Sequence, residues 1–594
     1  MNILGLSFDY HDSAAAILAD GVVVAAAEEE RFSRWKHDNR FPNKAIKFCL
    51  ELSGLTTSAL DRIVFYENTL LKLSRITHSL VIEDHKCRSN FEYLMRTWNS
   101  AGKFFPKERI SELVNVPIEQ VSSVDHHEAH AASAFYCSPF EEAVVVTIDG
   151  VGEFETATIS NGNASGIEKL FSINYPHSVG LFYSAFTAFL GFEVNEGEYK
   201  VMGLAAYGEP VFANKVRSLF RLLPNGSFEL DQDYFQFDLP IALPFSSKLV
   251  ELFGPPCTPG STFSFNFDNG NGKVNSTHDK TLDKLNTHYA NIAASVQLCT
   301  EEIVVHMVRG AMENTGKTNI CLAGGVALNS LANARIQRDL DCSLYVQPAA
   351  GDSGGAIGAA QSYYHKTAKR PVRQSLTNPY LGKAYVAKDI ERVIERHRLK
   401  PRLFNSLEEI IDETASLLAK GNVVGWMQGR FEWGPRALGN RSILANPTIS
   451  SMKGIVNEKI KNREPFRPFA PSVIEEQAGE YFDIPDGLVA ESPQRFMLAV
   501  NNVRPDKKRL LPAVTHHDGT ARVHLVSREA NPLYYQLIEA FAEITNVPVL
   551  MNTSLNLNGE AIANSPYDAI QTFYWSGMDY LVIGNFMFDK NLTS

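Results

Sequence analysis

The sequence predicts an α/β protein in two unequal parts, residues 1–368 and 369–594, on three observations. A strand meander near the start, NILGLSF, AAAILADG and VVVAAAEEE, recurs in kind from Ala143 as AVVVTIDGVGEFETATIS, a polar turn at Asn161, Gly162 and Asn163, then GIEKLFSI. The Asp20-Gly21 pair marks the hairpin of the first copy, because such pairs take the positive φ that a tight connection needs. The stretch HKTAKRPVRQSLTNP at 365–379 is basic, holds two prolines and has no apolar period, which reads as a domain boundary. Beyond it NVVGWMQG, ARVHLVSR, NPLYYQLIEAFAEI, PVLMNTS and YLVIGNF alternate strands with helices, so the second part is an α/β domain with its own core.

Each copy of the meander opens with an apolar strand that ends in a polar or glycine-rich turn: Asp9-Tyr10-His11-Asp12-Ser13 in the first, Asp149-Gly150-Val151-Gly152 in the second. Two such copies predict a duplicated fold with a cleft between its halves, the architecture of the acetate kinase, sugar kinase, Hsp70 and actin (ASKHA) group. Residues 41–140 read as mostly helical, and 220–285, polar and rich in Gly, Pro, Asn and Asp, as an insertion. A long helix over about Thr287–Thr315, the strand NICLAGGVALNS and the glycine turn GDSGGAIGAA follow.

Composition narrows the function. Fifty-six Lys+Arg against 67 Asp+Glu leave a net charge of −11, which argues against a nucleic-acid-coating surface. No apolar run approaches the roughly 18 residues of a membrane span. MNILGLSFDYHDS lacks the basic start and apolar stretch of a secretory signal. Seven dispersed cysteines without a CxxC pair read as reduced thiols. The expectation is a soluble cytoplasmic enzyme or large binding protein, with no nucleic-acid or membrane partner.

Three clusters carry chemistry. His126 and His130 in DHHEAH stand four residues apart, so on a helix both imidazoles leave one face. That spacing serves a metal pair or a helix end making ordinary hydrogen bonds. His127 points elsewhere. Asp149 and Asp352 each follow an apolar strand within a glycine turn, and two imidazoles with two carboxylates suit iron, manganese or zinc. The second cluster is the glycine turns themselves, with Gly150, Gly152, Gly324, Gly325 and Asn329 as candidate nucleotide contacts. Any one of them is equally a packing turn; together they favour a nucleotide cradle. Glu196 and Lys200 are candidates for ribose and phosphate, or a surface ion pair. In the third cluster Arg436, Arg441, Lys461, Arg463, Arg467 and Arg522 recur among glycines, prolines and aromatics. Arginine forks and a lysine point charge suit a small phosphorylated ligand, with ion pairs to Glu432, Glu458 and Glu464 as the competing use for some of them.

The motifs FDYHDSAAAILADGVVVAAAEEERFSRWKH, DHHEAHAASAFY, EGEYKVMGLAAYG, AGGVALNS, WGPRALGNRSILANP, REPFRPFAPSV and MNTSLNLNGEAI, in this order along the whole chain, resemble the NodU/CmcH O-carbamoyltransferases. The resemblance implies a YrdC-like second domain where carbamoyl phosphate and ATP give carbamoyl-adenylate. That intermediate then passes inside the protein to the first domain, where an acceptor hydroxyl takes the carbamoyl group and AMP leaves. It implies an iron site at His126, His130, Asp149 and Asp352, and carbamoyl phosphate contacts at Lys461, Arg467, Arg522, Asn552 and Ser554, with Arg436 facing the same pocket. The expected cofactors are Fe(II), with Mn or Zn as alternatives, and Mg with ATP; the expected acceptor is a hydroxylated small molecule. His11 is the candidate base for the acceptor hydroxyl, with a phosphate contact or a hydrogen bond to its own turn as its other role; Lys36 lines the same cleft or belongs to a solvated charge run. Residues 60–115 and 220–285 match the family weakly and are where acceptor choice is expected to reside. A tRNA-threonylcarbamoylating enzyme is disfavoured by the acidic balance, and a hydrogenase-maturation enzyme by the lack of CxxC pairs. A non-catalytic nucleotide scaffold would leave the ligand and arginine sets without a use.

Overall fold

Alanine- and valine-rich strands whose side chains are buried on both faces set the frame of the first part. The computed structural model describes residues 1–82, 87–237, 243–261, 263, 280–485 and 492–590. Among these, β1 (Asn2–Ser7), β2 (Ala14–Ala19), β3 (Val22–Glu28), β4 (Arg62–Phe65) and β5 (Val121–Ser123) form one sheet in the order β3-β2-β1-β4-β5. The strands β6 (Ala143–Ile148), β7 (Glu155–Asn163), β8 (Gly166–Asn174), β9 (Asn319–Ala323) and β10 (Ser343–Val346) form another, in the order β8-β7-β6-β9-β10. In both, the first three strands run antiparallel and the fourth and fifth join the first in parallel. The two sheets are copies of one topology, as the meanders predict, and the duplicated ASKHA-type architecture is present.

The stretch 41–140 is not only helical. It supplies β4 and β5, whose three or four residues are too short to show a period of two. Around them lie helices α1 (Thr69–Ile82), α2 (Cys87–Ser100) and α3 (Pro106–Val114), and then α4 (His126–Phe135). A short helix α5 (Glu198–Ala205) follows later. The long helix α6 (Lys280–Thr315) begins before Thr287, and α7 (Ser330–Asp339) and α8 (Gly354–Thr367) complete the frame. Within 220–285 the described part holds a hairpin, Phe220–Leu222 with Phe228–Leu230, and a helix, Ser247–Phe253; residues 238–242, 262 and 264–279 lie outside the described residues.

The chain divides into two units. One comprises Met1–Glu29, His37–Ser261 and Tyr289–Leu376; the other comprises Glu30–Lys36, Thr262–His288 and Thr377–Ser594. In the second unit β11 (Arg402–Leu403), β12 (Val424–Met427), β13 (Arg441–Ala445), β14 (Ala470–Ile474), β15 (His524–Val526), β16 (Val549–Ser554), β17 (Tyr580–Ile583) and β18 (Phe586–Asp589) form a mixed sheet ordered β11-β18-β17-β12-β13-β16-β14-β15. Alternate residues feed two cores. Val424, Trp426, Leu444, Leu550 and Val582 face one, against helices Leu407–Ala419 and Pro532–Thr545; Met427, Ile443, Met551, Leu581 and Ile583 face the other. The strap 30–36 is part of this unit: the buried Arg31 donates through Nη2 to the carbonyls of Glu432 (3.2 Å) and Gly434 (2.6 Å). Cys49, Cys137, Cys257, Cys299, Cys321 and Cys342 form no disulfide, and no described helix is long and apolar enough to cross a membrane.

Helix α8 lies against both α4 and β1 through small residues. A Cβ at Gly358 would sit 1.8 Å from the Ala129 carbonyl oxygen, and one at Gly5 equally close to that of Ala356. Gly358→Ala is therefore expected to lower the urea unfolding free energy by about 3 kcal/mol, the upper part of the range for overpacking a core.

Candidate active site

Helix α4 begins at His126, directly after Asp125, so its first two turns present His126 and His130 on one face. Asp149 follows the end of β6, and Asp352 precedes α8. All four side chains meet. His126 Nε2 is 2.9 Å from Asp149 Oδ2 and 3.8 Å from Asp352 Oδ1; His130 Nε2 is 3.5 and 3.7 Å from the same atoms. The two Nε2 atoms stand 3.0 Å apart. Two lone pairs cannot face each other at that distance without a proton or a cation between them. Donor bonds of about 2.0–2.2 Å to one metal ion put neighbouring ligand atoms roughly 3.0–3.5 Å apart, which the observed spacings bracket. The residues present therefore fit a first-row divalent cation.

Neighbouring groups hold the ligands. Asp149 Oδ1 accepts from the Gly325 amide (2.9 Å), and Tyr66 Oη donates to Asp352 Oδ2 (3.2 Å). Glu153 receives the amides of His126 (3.0 and 3.1 Å) and Asn68 (2.7 Å), placing a carboxylate at the α4 N-terminus where the helix dipole favours one. Burial opposes a charge on His130, but hydrogen bonds to Asp149 and Asp352 outweigh it and raise its pKa to about 9. Burial likewise pushes Asp149 up, and the two imidazoles overcome this and hold it well below the carboxylate range. His127 bonds Thr147 Oγ1 (2.7 Å) and the Glu155 carbonyl (2.9 Å) inside the core; burial and its two charged neighbours push its pKa far down.

The glycine turns divide into two kinds. A Cβ at Gly152 would lie 2.9 Å from the His126 side chain, and one at Gly324 (φ 95°) 2.2 Å from the Ile148 carbonyl oxygen. These two glycines, with Gly325, let the turns close on the quartet. At Gly150 and Gly351, by contrast, a Cβ would meet nothing nearer than 3.9 Å. Asn329 caps α7 through the Ala332 amide (3.1 Å) and exchanges bonds with Gln297. Lys200, on α5, has its Nζ 5.8 Å from the centre of the Phe192 ring. Glu196 faces His37 at 2.9 Å. His11 Nδ1 bonds Asp12 Oδ2 at 3.0 Å. Burial opposes its charge, yet Asp12, then Asp352 and Asp149, raise its pKa to about 9. Lys36 belongs to the second unit.

In that unit the third cluster assembles around β16. Lys461 is buried at the end of a π-turn (Val456–Lys461), where its Nζ donates to the carbonyls of Ser554 (2.5 Å) and Asn556 (2.9 Å) and to Asn556 Oδ1 (2.7 Å). Asn552 donates to the Ala437 carbonyl (3.1 Å) and Ser472 Oγ (3.0 Å), while its own Oδ1 has no hydrogen-bond partner among the described residues. Burial, then the charges of Arg436, Arg463 and Arg467, pushes the Arg522 pKa well below the arginine range; burial with Arg463 and Arg467 does the same to Lys461. Lys453 falls to about 8 through burial and Arg463. Arg467 pairs with Glu464 at 3.5 Å. Arg441 stands apart: its guanidinium is spent on the carbonyls of Gln428, Asn440, Lys383, Gly429 and Asn564, so it is a structural pillar.

Residues 2–361 match the family model for the carbamoyltransferase N-terminus, and residues 415–590 the model for the carbamoyltransferase C-terminus. The chain belongs to the carbamoyltransferase family. The enzyme is 40% identical to an uncharacterized protein of Synechocystis sp., over 99% of this chain and 97% of that one. It is 36% identical to the nodulation protein NolNO of Sinorhizobium fredii, over 98% of this chain and 80% of that one. It is 38% identical to the nodulation protein NolO of Bradyrhizobium diazoefficiens, over 79% and 80%.

Sequence reasoning did not single out several residues that build these sites. Tyr66 follows a four-residue strand, Glu153 lies outside the IDGVG turn, and Asn556 trails Ser554 in MNTSLNLNG without any spacing signal. Asp12 stood beside His11 in the first turn and drew notice only as turn chemistry. The quartet yields a direct check. If the quartet holds a first-row cation, wild-type enzyme and His127→Gln are expected to carry about one equivalent per chain by elemental analysis, and His130→Ala and Asp352→Asn to carry none.

Proposed function

We propose that the enzyme is an ATP-dependent O-carbamoyltransferase. Carbamoyl phosphate, ATP and one water give carbamoyl-adenylate, pyrophosphate and phosphate at the Lys461–Arg522 cluster. An acceptor hydroxyl then attacks the carbamoyl carbon at the first unit's site, forming the carbamate ester and releasing AMP. The observation that carries the first step is the buried Lys461 and the half-buried Arg522, on each of which the largest charge effects come from neighbouring guanidinium groups. Burying like charges together is costly, and a dianionic ligand offsets that cost while Arg436, Arg467 and Arg522 neutralise charge on the departing phosphate. Asn552 Oδ1, the unused buried acceptor, suits the carbamoyl NH2 group, which only donates.

In this reading the AMP phosphate lies against the turns at Gly150 and Gly351, where a Cβ would have room. His126, His130, Asp149 and Asp352 would hold Fe(II), with Mn or Zn as alternatives, and a cation there supplies Lewis-acid polarisation of carbonyl or phosphate oxygen. His11 takes the proton of the acceptor hydroxyl. Two of the charges that raise its pKa, Asp352 and Asp149, belong to the set that a cation neutralises, which leaves Asp12 as its main partner. The acceptor is a hydroxylated small molecule, and the nodulation proteins among the relatives favour one made outside primary metabolism.

Purified enzyme with Mg, ATP and carbamoyl phosphate is expected to release pyrophosphate only when carbamoyl phosphate is present. Lys461→Ala and Arg522→Ala are expected to cut that release by about 100-fold or more, the scale of losing a charge-stabilising donor. Release driven equally well by threonine and bicarbonate would contradict the reading.

A further inference from the structure

His37 has carboxylates on both sides. Its Nδ1 lies 2.7 Å from Asp12 Oδ1 and its Nε2 2.9 Å from Glu196 Oε2, while the other oxygen of Asp12 faces His11 Nδ1 at 3.0 Å. Ionised carboxylates only accept hydrogen bonds, and a neutral imidazole offers one N–H. Both contacts can be made together only if each ring nitrogen carries a proton. The backbone is built around this contact. Asp12 and His37 both have φ 53°, a left-handed conformation that costs free energy away from glycine. The amides of Asp9 and Ser13 donate to the carbonyls of Asn39 (2.9 Å) and Asp38 (2.8 Å), tying the 37–39 segment to the first turn.

A second metal site is the competing use of these side chains, since donor atoms of His11, Asp12 and His37 lie within 4.8 Å of one another. The contacts differ in kind from those of the quartet. There nitrogen meets nitrogen at 3.0 Å; here each short contact joins a nitrogen to a carboxylate oxygen, and the His11 and His37 rings stand 6.2 Å apart. This is the pattern of a hydrogen-bonded chain.

We infer that His37 is a fixed imidazolium clamp, a positioning residue that locks Asp12 against His11, with Glu196 holding its far side. The inference rests on the reading of His11 as the base for the acceptor hydroxyl. Asp12 then cannot swing away when His11 takes up a proton, because its second oxygen is pinned. Glu196 serves the acceptor half of the reaction rather than the nucleotide ribose. Among the described residues Asp352 and Asp149 also act on His11, and an Asp38–Arg40 pair (2.8 Å) follows His37 in the chain.

The test uses the full chain labelled with 15N-histidine, compared with His37→Gln, Glu196→Gln and Glu196→Ala. At about pH 8, well above the ordinary histidine pKa of about 6.5, both His37 nitrogens are expected to be protonated in the wild type, the resonances being assigned by their loss in His37→Gln. Glu196→Ala is expected to free one of them and to move the His11 Nδ1–H resonance, with Glu196→Gln intermediate. AMP release from carbamoyl-adenylate then falls roughly tenfold, as for a misplaced catalytic group, while carbamoyl-phosphate-dependent pyrophosphate release is unchanged. An unprotonated His37 nitrogen in the wild type, a His11 resonance indifferent to both positions, or a second metal equivalent lost in His37→Gln would each overturn the clamp. Failure of pyrophosphate release in the wild type would instead overturn the proposed reaction, and the His37 spectrum would still decide the clamp.

Discussion

Two imidazole nitrogens 3.0 Å apart, with carboxylate oxygens 2.9–3.8 Å from them, form an arrangement that needs positive charge at its centre. The first unit is shaped around that point. Helix α4 presents two rings from consecutive turns, β6 ends where Asp149 must stand, and the turn before α8 delivers Asp352. Glycine is required at 152 and 324 because any side chain there would strike His126 or the Ile148 backbone. The close approach of α8 to α4 and β1, through Gly358 and Gly5, lets ligands from separate parts of the chain share one centre.

The second unit poses the opposite electrostatic problem. The buried Lys461 and half-buried Arg522 stand among further guanidinium groups, and their pKa values are driven down by burial and by Arg463 and Arg467, with Arg436 also acting on Arg522. Lys461 is held by four acceptors of the Ser554–Asn556 segment, so its position is fixed before any ligand arrives. One unit gathers negative ligands that ask for a cation; the other gathers cations that ask for an anion. The proposed reaction, with a carbamoyl donor activated at the second and spent at the first, would use both.

Much of this was legible in the sequence because it is written in local signals. Apolar strands ending in glycine turns revealed the duplicated sheets, and the i, i+4 spacing of His126 and His130 placed two ligands on one helical face. Asp149 and Asp352 were readable because each follows a strand within a glycine turn. What escaped depends on side chains brought together from afar. The Tyr66 bond to Asp352 spans 286 residues and has no sequence spacing to betray it. β4 and β5 were too short to show alternation inside a helical stretch. Arg441 looks like its neighbours in composition, and only burial among five carbonyls separates it from the other cations of the cluster. The strap 30–36 has the look of a solvated charge run, yet Arg31 is spent on Glu432 and Gly434, 401 and 403 residues away, a pairing that no local pattern encodes.

The central claim is that one activated intermediate joins the two chemistries, and it is tested most directly by trapping it. Enzyme mixed with ATP and 13C-carbamoyl phosphate, quenched in acid and analysed by mass spectrometry, should yield 13C-carbamoyl-adenylate. The account predicts that the labelled adenylate still forms when His130 is replaced by alanine, and that it is absent when Lys461 is replaced by alanine. Adenylate that vanishes in the His130 variant but persists in the Lys461 variant would contradict the account, because activation would then belong to the first unit.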